Sequence, residues 1–132
     1  MRRIERKEDD LSDEARVVYV QTHGVDEPSK AATPFYLATA GAAMDMDVSI
    51  YFTMHGPTLL QKSAQDLTVK QGGAPLSVFI RQAQDIGVKF LVCQPSLDLN
   101  DLQMEDLIDG VKMIGGAAFN ELAAESDAVI SF

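Results

Sequence analysis

One stretch limits what this chain can become. Gly87-Val88-Lys89-Phe90-Leu91-Val92-Cys93-Gln94-Pro95-Ser96 is short, mostly apolar and rich in β-formers. An amphipathic segment precedes it and a polar loop follows it. A run of that length and makeup reads as a buried strand. The sole cysteine, Cys93, stands at its end. In open parallel sheets, ligands bind in the crevice past the carboxyl ends of the strands. The thiol therefore occupies an informative address.

The rest of the chain alternates around this strand. Ala15 to Gln21 is a first strand, and its near-continuous run Val17-Val18-Tyr19-Val20 fits a sheet covered on both faces. Thr22 to Ser29 is a turn-rich loop. A helix follows to Met44, with Leu37, Ala40, Gly41 and Met44 on one apolar face. Pro34 fits if Thr33 caps this helix and Pro34 opens it; a start near Pro28 is the alternative. Asp47 to Thr53 is a second strand, and Thr58 to Ala64 a short helix. Pro75 opens a further helix with Leu76, Phe79, Ala83 and Ile86 at helical spacing, stopped by Gly87. Beyond Cys93, Asp98 to Asp109 has a helical pattern anchored by Leu107 and Ile108. Val111 to Ile114 is a fourth strand, Ala117 to Glu125 a last helix with Phe119, Leu122 and Ala123 inward, and Asp127 to Phe132 a closing strand. Alternation of this kind gives an α/β fold. The expected architecture is a flavodoxin-like or Rossmann-like three-layer sandwich with a five-stranded, mostly parallel sheet.

A length of 132 residues suits one domain. Residues 1–14 read as a flexible charged tail and residues 15–132 as the domain. With 46% hydrophobic and 23% charged residues the chain has the makeup of a folded protein. A single cysteine excludes an internal disulfide, and the expected location is cytoplasmic. No secretory signal or membrane-spanning run is present, so no membrane insertion is expected. The formal charge of -9 disfavours nucleic acid and anionic membrane surfaces. It suits solubility, or a basic partner protein.

Cofactor motifs are missing. THGVDEP follows the first strand where a dinucleotide fold has a glycine-rich turn, and there is no P-loop lysine motif. No cofactor is expected. Two histidines and one cysteine spread over three loops, even with Asp26, Asp45 and Asp47 recruited, make a poor donor set, so no metal is expected.

Two readings of Cys93 stand side by side. In one it is a small buried hydrophobe. In the other it is a nucleophilic thiolate, its pKa lowered by backbone N–H groups of the Gln94-Pro95-Ser96 turn and a nearby helix start. Ser96 would then cap that helix or donate to an anion. His55 and His23 follow strands whose ends share an edge with Cys93, so either imidazole is a candidate support for the thiolate. The acidic set Asp98, Asp101, Glu105, Asp106 and Asp109 reads as a solvated face or a dock for a basic partner. Met44, Met46, Met54, Met104 and Met113 read as core or subunit-interface filler.

Four stretches carry a resemblance: VVYVQT to GAAMDMDV, SIYFTMHGPTLL, GVKFLVCQPSLDL, and EDLIDGVKMIGGAAFNELAAESDAVISF. On them the chain resembles the DsrE/DsrF-like family of sulfur-relay proteins, in particular the predicted peroxiredoxin-like branch. The resemblance implies a small flavodoxin-like domain that assembles into trimers, tetramers or hexamers. It implies a sulfur carrier or sulfurtransferase that holds sulfane sulfur or thiosulfonate on Cys93. Gln94 and Ser96 would form the loop around it, and the cargo would pass to a small sulfur-carrier protein or another thiol protein. The alternative is a non-catalytic structural or binding subunit of such a relay. Some relatives have a second cysteine in the next loop; Gln94 to Asp101 has none. Transfer would have to go to an external thiol.

Overall fold

The computed structural model describes residues 14–132. The expected tail over 1–14 lies, Glu14 excepted, outside the described residues. The strands are β1 (Arg16–Gln21), β2 (Asp47–Phe52), β3 (Lys89–Cys93), β4 (Val111–Ile114) and β5 (Ala128–Ser131). They form one sheet in the order β4-β3-β2-β1-β5, with every pairing parallel.

That order decides which face each helix covers. From β1 to β4 the chain steps across the sheet in one direction, so right-handed crossovers place those connections on one face. The connection from β4 to β5 runs back the other way and lies on the opposite face. The packing obeys this. Helices α1 (Ala32–Ala43), α2 (Leu76–Asp85) and α3 (Gln94–Leu99) share a core with Val48, Ile50, Phe52, Phe90 and Val92. Phe35 of α1 is its hub, with its ring 5.8 Å from Phe52 and 5.7 Å from Phe90. Helix α4 (Gly116–Ala124) covers the second face, where Phe119 and Leu122 pack on Val18, Val20 and Tyr51. The result is the three-layer α/β sandwich, its sheet wholly parallel.

Local details depart from the sequence expectations. Helix α1 begins at Ala32, after a separate 3-10 turn at Pro28–Lys30, and Thr33 is not its cap. Pro34 is tolerated because first-turn N–H groups have no intrahelical acceptor. The buried face of α1 is Phe35, Ala38 and Gly41, while Met44 is exposed. An Ala/Gly-rich run has little amphipathic contrast, so the single large Phe35 sets the phase. Gly41 matters there: an added Cβ would sit 3.2 Å from Val48 Cγ2, so the helix rides close to the sheet.

Pro75 is the residue before α2, not its first, and Ile86 just beyond it is exposed. Gly87 then turns with φ +96, a conformation suited to glycine. The segment from Thr58 to Ala64 belongs to two 3-10 turns, Gly56–Leu60 and Lys62–Ala64. The acidic segment is not one helix. It splits between the end of α3 and a 3-10 turn at Met104–Asp106, with Asp101 at φ +54 between them. Leu102 and Leu107 anchor it in the core, and Ile108 packs beside them.

Candidate functional site

Cys93 ends β3 and directly precedes α3. Strand alternation puts Leu91 and Cys93 on the α4 side of the sheet. Tyr51 of β2 stands opposite Leu91, so Thr53, one step past the strand, comes alongside Cys93. Ile114 of β4 flanks Cys93 on the other side. The half-buried thiol thus has an apolar wall of Tyr51, Ile114, Phe119 and Leu122. The Tyr51 ring is held by Phe119, with centroids 4.1 Å apart.

Opposed effects act on the thiol. Burial pushes its pKa up. Hydrogen bonding from the hydroxyls of Ser96, Tyr51 and Thr53, and from the Ser96 backbone N–H, outweighs burial and brings it below the ordinary cysteine value. Tyr51 shows the reciprocal effect. Burial, then its bond to Cys93 and the thiolate charge, hold the phenol far above its usual range. Tyr51 therefore remains a donor at any pH at which the thiolate forms.

Two residues of α3 and its end fix the loop after β2 over this cluster. Met54 donates its N–H to Ser96 Oγ at 2.8 Å, and Thr53 Oγ1 lies 3.2 Å from the same oxygen. Asn100, the residue after α3, donates from Nδ2 to the carbonyls of Met54 and Ser96, both at 2.6 Å. Its Oδ1 is 3.1 Å from His55 Nδ1. Because Asn100 Oδ1 can only accept, Nδ1 of His55 carries the proton and the neutral ring keeps its lone pair on Nε2. Met54 itself is at φ +54, an uncommon conformation for a side chain of its size.

The residues singled out from sequence separate into two groups. Cys93 and Ser96 come together. Gln94 is exposed at the start of α3. His55 is exposed and engaged with Asn100. His23 sits at the end of β1, with Nδ1 3.3 Å from Thr22 Oγ1 and Nε2 3.5 Å from Glu27. Neither imidazole is among the groups that shift the thiol. Sequence reading missed Tyr51, Thr53 and Asn100. The signal for the first two was parity: 51 and 53 share a strand face, but only the neighbouring of β2 and β3 brings them to Cys93.

Among the described residues, no set of three or more His, Cys, Asp or Glu could hold a metal ion. No helix among them is long and apolar enough to cross a membrane.

Comparison with known proteins bears on the family and the fold. Residues 15–132 match the DsrE/DsrF-like family. The sulfur carrier protein DsrE2 of Allochromatium vinosum is 29% identical, over 74% of this chain and 86% of its own length. The ychN protein of E. coli superposes with a TM-score of 0.71 over 90% of this chain and 99% of its own, at 15% identity. A protein of unknown function from Methanobacterium thermoautotrophicum gives 0.62 over 91% and 100%, at 16% identity. At such identities the two structures speak for the fold alone.

Proposed function

The chain belongs to the DsrE/DsrF-like family, and on that premise we propose that it is a cytoplasmic sulfur carrier or sulfurtransferase with Cys93 as the carrying residue. The observation that supports this most is the ring of hydroxyls that lowers the Cys93 pKa at the carboxyl edge of β3. The similarity to a sulfur carrier protein points the same way. Placement in the peroxiredoxin-like branch rests on the sequence stretches alone.

The chemistry is thiol exchange. The Cys93 thiolate attacks the outer sulfur of a donor persulfide. A new S–S bond forms to Cys93, the donor's S–S bond breaks, and its electron pair leaves on the donor thiolate. An acceptor thiolate then attacks the sulfur held on Cys93, and Cys93 departs as a thiolate. No external oxidant or reductant is consumed. With tetrathionate as donor, Cys93 attacks one of its two inner sulfurs, the bond between those sulfurs breaks, thiosulfate leaves with the electron pair, and the cargo on Cys93 is the thiosulfonate group. The acceptor is a small sulfur-carrier protein or another thiol protein. His55 and His23, on the same sheet edge, and Gln94 are candidate supports for the anionic sulfur group of the donor or cargo. A homo-oligomer, as trimer, tetramer or hexamer, is part of the proposal. The exposed Met44, Met54, Leu99 and Met113 supply apolar surface for it.

The test is intact-protein mass spectrometry after incubating reduced protein with polysulfide, tetrathionate or thiosulfate. A persulfide adds about 32 Da and a thiosulfonate about 112 Da. Either adduct on the wild type, absent from Cys93→Ser, supports the carrier. No adduct with any donor, on a thiol shown to be reduced, overturns it. The second reading is a structural or binding subunit, favoured by the absence of an imidazole among the groups acting on the thiol. It requires partner binding that Cys93→Ala leaves intact.

A further inference from the structure

We propose that Tyr51 is the residue that stabilises the departing Cys93 thiolate during sulfur transfer, a role that rests on the carrier reading. Tyr51 lies on the strand beside Cys93, on the same sheet face, and both belong to one apolar cluster under α4. Its ring is almost wholly buried and packed against Phe119, with the two planes tilted by 34°, so the phenol has little freedom to turn away. The phenol is among the groups that favour the Cys93 thiolate. The other donors reach the sulfur from the loop side: Ser96 Oγ lies 3.2 Å from Thr53 Oγ1 and accepts from the Met54 N–H. Tyr51 is therefore the donor that comes from the rigid sheet.

The consequence concerns unloading. When an acceptor thiolate takes the outer sulfur, the bond between the two sulfurs breaks and its electron pair stays on Cys93 Sγ. A thiol of lower pKa leaves faster. A donor already aimed at Sγ stabilises that charge as it forms, with no reorganisation at the moment of transfer. The proton stays on Tyr51 throughout. Burial and the adjacent thiolate both oppose its loss. Tyr51 acts as a hydrogen-bond donor and not as an acid.

The experiment compares wild type, Tyr51→Phe and Tyr36→Phe. Tyr36 lies on α1, across the sheet, and serves as control. The first readout is the pH profile of Cys93 alkylation; the second is the rate at which pre-loaded sulfur passes to a small thiol. Tyr51→Phe keeps the ring packed on Phe119 and loses only the hydroxyl. It is expected to move the alkylation midpoint up by about one unit and to slow unloading about fivefold, while Tyr36→Phe changes neither. If Tyr51→Phe fails to fold, 3-fluorotyrosine placed at position 51 is used instead. That stronger donor should move the midpoint down. A wild type that loads sulfur while the position-51 variants keep its profile and unloading rate overturns the role of Tyr51 and leaves the carrier standing. A wild type that never loads overturns both.

Discussion

Ser96 and Met54 are joined across two strand ends: the Met54 N–H donates to Ser96 Oγ at 2.8 Å. The same Ser96 hydroxyl and its backbone N–H favour the Cys93 thiolate. One side chain thus holds the loop after β2 and faces the reactive sulfur. With its oxygen accepting from Met54, its single proton can point at sulfur or at Thr53 Oγ1, 3.2 Å away, and donors linked in series reinforce one another.

Ser96→Ala should therefore have two effects. The Met54 N–H loses its acceptor, at a cost of about 1–3 kcal/mol in unfolding free energy. The thiol pKa rises. Urea denaturation and the alkylation profile measure these. A variant that loses stability with no movement of the profile would separate the loop tether from the sulfur.

The pH dependence has a definite sign. Because the folded thiol pKa is depressed, the thiolate forms more readily in the folded chain than in the unfolded one. The stability this contributes is present above the unfolded pKa and is lost as pH falls through the folded value. Alkylation of folded protein should have its midpoint below that of protein unfolded in urea. A midpoint at or above the unfolded one contradicts the hydroxyl cradle.

Gly56→Ala should destabilise the loop junction. An added Cβ would run into the Gln21 backbone carbonyl, which also accepts the Thr53 N–H at 3.0 Å. A carbonyl fixed in a strand end cannot give way as a flexible side chain would. The expected loss is about 1–3 kcal/mol, read as a lower denaturant midpoint. Gly72→Ala is not an equivalent control, since there alanine would be strained for another reason, the backbone φ of +79, although the space is open.

Phe35→Ala tests the hub of the larger core. Phe35 is fully buried between Phe52 and Phe90. Removing its ring should cost about 3–5 kcal/mol. Phe35→Leu should cost less, because it leaves a smaller cavity. Equal midpoints for wild type and Phe35→Ala would mean that α1 does not pack as described.

The sequence by itself determined the order of strands and helices along the chain. Val17 to Val20, Ile50 to Phe52 and Phe90 to Val92 are runs that only a doubly covered strand buries, and Gly87 marks a helix end wherever the fold places it. The family was legible for the same reason, since its motifs sit on those strands and the loops that follow them. Cys93 was legible as a lone thiol at a strand end. Its surroundings were not. Tyr51 and Thr53 lie about forty residues away in the chain, and no local rule brings them near. The neighbouring of β2 and β3, and the parity of their side chains, made them partners of the sulfur. The phase of α1 and the breaking of the acidic segment were likewise tertiary outcomes. In each case local preference was weak and burial of a few large side chains, Phe35 and Leu107 among them, decided the matter.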